Sequence, residues 1–262
     1  MMGAKAAAVS TGAASFVTLA VIAMITNSFV EASMDIRDVQ LNEHADDIVV
    51  RPADSLAETA NGTIYLNGHW GKSTVTVSFF SRGMPQSEFE EVAESLRSSL
   101  EATDETQLER NSTSLYGTWP DLLRTLFEQS ENVPALQLVR PNSEGADIKV
   151  FLESGPHPEG KLGSAKIGRD KATFEILFAE VRIYSSYDLY TGGFVKSIFE
   201  HEMGHAIGLG HAGLESSIMH TPMIIVDNTP YGEIRNCEFR GTSSLYIDDG
   251  AGEVACSGTQ VS

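Results

Sequence analysis

One stretch of eleven residues constrains this chain more than any other: residues 201–211 read HEMGHAIGLGH. A helix turning every 3.6 residues puts His201 and His205 on one face, where two imidazoles grip a single metal ion. Glu202 lies between them, close enough to a water on that ion to take its proton. Gly208 can end the helix in a left-handed conformation, and the chain then swings round to offer His211 as a third ligand. Three neutral nitrogens leave the fourth tetrahedral position of Zn²⁺ for water, as in catalytic rather than structural zinc sites. The plain alternative is a buried amphipathic helix that happens to carry histidines. With only seven histidines in 262 residues, that is the poorer account of five matched positions.

The set His201, Glu202, His205, Gly208 and His211 resembles the HExxHxxGxxH pattern of the metzincin metalloproteases. Met219 follows in Ser216-Ser217-Ile218-Met219 and is similar to the Met-turn of the matrixins, a methionine that forms an apolar floor beneath the metal. The resemblance implies an α+β fold: a twisted mixed sheet of about five strands with a covering helix, an active-site helix and a C-terminal helix. It also implies a zinc endopeptidase with Glu202 as general base, one catalytic zinc on His201, His205 and His211, and a protein or peptide substrate lying along an edge strand, expected at residues 162–167.

Several departures shape those expectations. Matrixins usually follow the Met-turn methionine with tyrosine and proline, whereas this chain has His220-Thr221-Pro222; the wall of the pocket beyond the cut is different here, and His220 is either a pocket-lining group or a surface residue. Some metzincins place a tyrosine ligand where Thr221 stands, so no fifth ligand is expected. Histidines that hold a second zinc in animal matrixins have no counterpart between His157 and His201. Residues 145–148 are similar to a segment that binds calcium in some relatives, which leaves Ca²⁺ open, although Asp147 alone falls far short of six oxygens. No cysteine precedes His201, so the thiol latch of matrixin zymogens is missing. Two rival readings are an exported metal-binding or adhesive module without activity and a zinc hydrolase of a small amide, the latter needing a closed pocket.

A formal charge of −18 with no basic run argues against nucleic acid, whose phosphates need a basic footprint. Residues 6–30 carry no charge and are preceded by Lys5. Within residues 1–32 we therefore expect a signal peptide or an N-terminal membrane anchor, with the rest of the chain extracellular or at the cell surface. Cys237 and Cys256 are the only cysteines. In an exported chain they most simply form a bridge, with two free thiols as the alternative.

Residues 33–69 look too sparse in apolar residues to bury a face and read as a linker or short pro-segment. The zinc-protease domain is expected over residues 70–250, followed by a tail at 251–262. Within it, residues 74–79 alternate as a half-buried strand. Ser87 with Glu90 suggests a capping box opening a helix on Phe89, Val92, Leu96 and Leu100. Residues 103–132 resemble a polar insertion with a short helical piece at 122–127. Residues 135–139, 146–152 and 173–184 read as strands, 194–207 as the motif helix and 234–246 as a closing helix.

Overall fold

The alternation at residues 74–79 is the seed of the sheet: Val75, Val77 and Phe79 are all buried from one strand. The computed structural model describes residues 39–45, 48–51, 61–101, 116–155, 157, 160–185, 194–226, 229–230, 232–248, 250 and 252–257. The expected signal peptide or anchor lies outside them. Among the described residues no helix is long and apolar enough to cross a membrane.

In chain order the elements begin with β1 (Val39–Ala45), β2 (Ile48–Val50), β3 (Asn61–Leu66) and β4 (Thr74–Arg82). Helices α1 (Gln86–Arg97) and α2 (Trp119–Phe127) come next, then β5 (Ala135–Leu138), β6 (Ile148–Ser154), β7 (Gly163–Asp170) and β8 (Ile176–Ser185). Helix α3 (Phe194–Ala206) leads into β9 (Leu209–Ala212), β10 (Met223–Val226) and β11 (Thr229–Pro230), and the chain closes with α4 (Asn236–Tyr246) and β12 (Gly252–Ser257).

The expected mixed sheet is present with six strands in the order β1-β7-β8-β6-β4-β5. Strands β5, β4, β6 and β8 run parallel, while β7 is antiparallel to β8 and β1 antiparallel to β7. Helix α1 buries Phe89, Val92, Ala93 and Leu96, the stripe expected of an amphipathic helix on a sheet. The Phe79 ring meets Phe199 of α3, centroids 5.9 Å apart, so sheet and motif helix share one core. Two small sheets complete the unit, β11-β10-β2 and β12-β3-β9.

Five expectations meet a different arrangement. The stretch read as a linker or short pro-segment contributes three strands, and the compact unit begins at Val39 rather than Trp70. Short strands need little apolar surface of their own when existing edges supply their hydrogen bonds. Consequently β7 is not an edge: all seven residues of β1 pair with it, from Val39 opposite Asp170 to Ala45 opposite Ser164. The tail is likewise strand β12, paired with β3. The capping box does not form. Pro85 occupies the N-cap of α1 without a side-chain hydrogen bond, and Gln86 donates to Glu90 instead.

The supposed insertion is also core. Thr118 caps α2, Pro120 sits in its first turn, and Trp119, Leu122, Leu123 and Leu126 are buried. A Trp-Pro pair that reads as a break in the chain is here a helix start, since proline has no amide to lose in the first turn. Residues 102–115 lie outside the described part.

Candidate active site

Helix α3 places His201, Glu202 and His205 on its buried side, all at most 1% exposed. Gly208 then turns the chain at φ +110°, where a Cβ would run into the carbonyl oxygen of Gly68; only glycine fits both the conformation and the space. The last carbonyls of the helix need partners, and side chains supply them. Trp70 Nε1 donates to Ala206 O at 2.9 Å and Tyr246 Oη to Ile207 O at 2.7 Å. Burial pushes the Tyr246 hydroxyl well above its ordinary pKa, so it stays a donor.

Beyond the turn, β9 carries His211 and is paired with β3, Ile64 opposite Ala212 and Leu66 opposite Leu209. The result is the set of three expected from the spacing. One ligand atom from each of His201, His205 and His211 lies within 4.8 Å of the others, and the ring centroids are 4.8 to 5.7 Å apart. Backbone carbonyls orient two of the rings. His201 Nδ1 faces Ile218 O, and His205 Nδ1 lies 2.8 Å from Leu209 O. A carbonyl accepts only, so each Nδ1 carries its proton and leaves the lone pair on Nε2, the tautomer a metal takes. The donor set therefore fits a zinc ion.

Met219 is fully buried against the helix at Gly204, where an added Cβ would overlap Met219 Sδ and the Trp119 ring. Its loop is tied down by polar groups: Met219 N donates to Ser217 Oγ at 3.0 Å, and Ser217 Oγ donates to Glu238 Oε1. The other Glu238 oxygen accepts Arg235 N at 2.8 Å. Glu238 is wholly buried, which raises its carboxyl pKa against the opposing pull of those hydrogen bonds. Trp119 closes the far side, its Nε1 donating to Glu200 O at 2.6 Å.

The spacing argument found the three histidines and Glu202 but not this support. Gly204 and Trp119 carried no signal that separates them from ordinary packing. Glu238 did leave one, an acid on the apolar side of α4 between Ile234 and Leu245. His220 is half-buried, with Nδ1 3.3 Å from Ala212 O, and it lines a small hollow with Glu215, Ser217, Ile218 and Met223. Burial holds its pKa below the ordinary value. Asp147, the residue behind the calcium expectation, has both oxygens engaged: Thr76 N and Oγ1 donate to one at 2.8 Å and Lys72 Nζ to the other at 2.6 Å. The lysine supplies the positive charge there.

Glu202 sits where β7 begins. A Cβ on Gly163 would overlap Glu202 Oε1 and Ile198, so backbone alone separates the carboxylate from the sheet. Strand β10 starts four residues after Met219. The cysteines are bridged as expected, Cys237 to Cys256 with Cα atoms 4.9 Å apart, joining α4 to β12. A sequence model of the matrixin family matches residues 107–247, more than half of the chain and the whole of the ligand set. By that match the chain belongs to the matrixins, zinc metalloendopeptidases.

Proposed function

We propose that this matrixin is an exported endopeptidase in which Glu202 is the general base, Met219 the floor of the metal site, and His201, His205 and His211 the ligands of one zinc. The observation that carries the reading is the gathering of three imidazoles, two of them oriented by backbone carbonyls, on a helix and turn whose Glu202 is 1% exposed. Zinc, when bound, acidifies a water to a pKa of about 7 and polarises the peptide carbonyl. Glu202 would take the proton from a water held there and return it to the leaving amine. Low exposure favours this work, because a carboxylate in a water-poor site competes less with solvent for the proton. The helix holds Glu202 next to two ligands, so base and nucleophile meet without a search. Ser217 and Glu238 act at a distance, fixing the loop whose Ile218 carbonyl orients His201.

Export is supported by the uncharged residues 6–30 and by the bridge between the only two cysteines, since such bonds persist mainly in oxidising compartments. An endopeptidase is favoured over an amidase of small molecules by the match to the matrixin family.

A casein zymogram tests the activity. Clearing should vanish with a chelator and return with zinc. Failure to cut casein at full zinc occupancy would remove the peptidase reading.

A further inference from the structure

His211 is reached from the metal helix through Gly208-Leu209-Gly210, and two glycines in three residues leave a stretch so free in φ and ψ that it does not fix a ligand by itself. The restraint comes from outside the turn. The carbonyls of residues 206, 207, 208 and 209 each accept a donor from an element remote in sequence. Trp70 Nε1 and Tyr246 Oη serve the first two, at the end of the helix. Asn67 serves the next two: its backbone N–H donates to Gly208 O at 2.7 Å and its side-chain Nδ2 to Leu209 O at 3.2 Å.

Leu209 O is also the oxygen on which His205 Nδ1 lies, at 2.8 Å. A carbonyl oxygen has two lone pairs, so one receives the imidazole of a ligand while the other receives the Asn67 amide. Asn67 therefore acts on two ligands at once. It holds the acceptor that aims the His205 ring, and it holds the peptide planes on both sides of Leu209, two residues before His211. The approach is close. A Cβ on Gly210 would lie against Tyr65 Cβ and Asn67 Nδ2, and one on Gly208 would strike Gly68 O, so the turn rests directly on the backbone of residues 65–68.

Asn67 is braced in turn. Arg169 Nη1 donates to Asn67 O and Nη2 to Gln40 Oε1 at 3.2 Å, and the guanidinium carbon lies 4.8 Å from the centre of the Phe174 ring. Arg169 is only 9% exposed. A charge so far from water needs hydrogen bonds, and that need ties the arginine to the Asn67 carbonyl.

We infer that Asn67 is a positioning residue for the metal, setting zinc affinity through His205 and His211 without touching the ion. The inference rests on the reading that His201, His205 and His211 hold one zinc. Partners that orient a metal-bound histidine through its second ring nitrogen typically change metal affinity by about 10- to 100-fold. Here that partner is a main-chain carbonyl, and the side chain of Asn67 fixes its direction.

The test measures zinc rather than hydrolysis, on the full chain. Asn67→Ala deletes Nδ2 and keeps the amide bond to Gly208 O. Asn67→Asp keeps the size of the side chain but turns a carboxylate oxygen towards Leu209 O, and Arg169→Gln weakens the brace. Competition with a chromophoric chelator should show the zinc dissociation constant about tenfold higher in Asn67→Ala, higher still in Asn67→Asp, and raised least in Arg169→Gln. Zinc should leave the loaded, folded chain for excess chelator faster in the same order, a comparison that does not depend on how well each zinc-free form folds. With Co²⁺ in place of zinc, the strong visible absorption of a four-coordinate ion should weaken in both Asn67 variants as the third imidazole loosens. A purely structural Asn67 would lower the urea midpoint of the zinc-free chain and leave the release rate and cobalt spectrum as in the parent; that result overturns the inference. A parent that takes up no zinc overturns the ligand reading and the inference together. If the order of affinities holds and casein is not cut, the peptidase reading fails and the role of Asn67 stands.

Discussion

The metal loop and the segment carrying β1, β2 and Arg51 are held in opposite ways. His201, His205 and Met219 are fully buried, oriented by carbonyls and by a hydroxyl–carboxylate pair that never meets solvent. Buried polar networks of that kind are costly to leave half-made, and so they stay whole or fail together. The segment instead depends on a strand ladder and on Arg51 paired with Glu215, an arginine whose side chain is 36% exposed. Leu41 in its first strand is 55% exposed. One region is built to keep its geometry and the other to give way, and the lesson is that removability is written in how little a segment buries.

The sharpest break in the comparison is chemical. Glu202→Gln should keep the helix, the zinc and the thermal stability, while casein turnover falls by about 10² to 10⁴, the usual loss with a positioned base. Turnover near that of the parent at matched zinc occupancy would mean the base lies elsewhere. Next in size is the rigid side itself. Trp119→Ala removes a fully buried ring against Gly204 and a hydrogen bond to Glu200, so urea unfolding should show a loss of about 3–5 kcal/mol. A loss below about 1 kcal/mol would show that this wall is not tightly packed.

The bridge comes third. Replacing Cys237 and Cys256 together by alanine should cost about 3 kcal/mol, by the loop-entropy estimate for 19 residues of separation; an unchanged urea midpoint would contradict it. Asp147 offers a pH-dependent contrast inside the sheet. Burial raises its carboxyl pKa, but hydrogen bonds from Lys72 and Thr76 outweigh that and hold it below the ordinary value. A depressed folded pKa means stability present above the unfolded value, near about pH 4, and lost as pH falls through the folded one. Asp147→Asn should flatten the acid limb of stability below about pH 4; an unaltered limb would place the titration on other groups. Smallest is Arg51→Ala, whose half-exposed pair should contribute only about 0.2–1 kcal/mol to global unfolding. A larger loss would mean that this segment belongs to the rigid body after all.

The same contrast explains what could be read from the residues alone. The histidine set depends on helix periodicity and one glycine turn, all within eleven residues, and so it was legible. Strands β1 and β3 take their hydrogen bonds from Ser164–Asp170 and Leu209–Ala212, more than a hundred residues downstream, and no local pattern announces such partners. Residues 63–66 did alternate, with Ile64 and Leu66 buried and Tyr65 exposed, but four residues of alternation between Asn61-Gly62 and Asn67-Gly68 look like a linker. Helix α2 was legible over residues 122–127, but its start at Trp119 was not, because a Trp-Pro pair reads as punctuation although proline is at home in a first helical turn. Glu238 is buried by the fold and made tolerable by Ser217 and Arg235, partners the sequence does not identify.

Strand β3 sets a boundary on how far the chain can be trimmed. It is the middle strand between β9, which carries His211, and β12, which holds the bridged Cys256. A chain that starts at Asn61 dispenses with β1 and β2 and keeps that middle strand. One that starts at Trp70 retains every ligand yet strands β9 and β12 without a neighbour between them. The shortest form able to keep the third histidine in register therefore begins no later than Asn61, eleven residues after β2 ends at Val50.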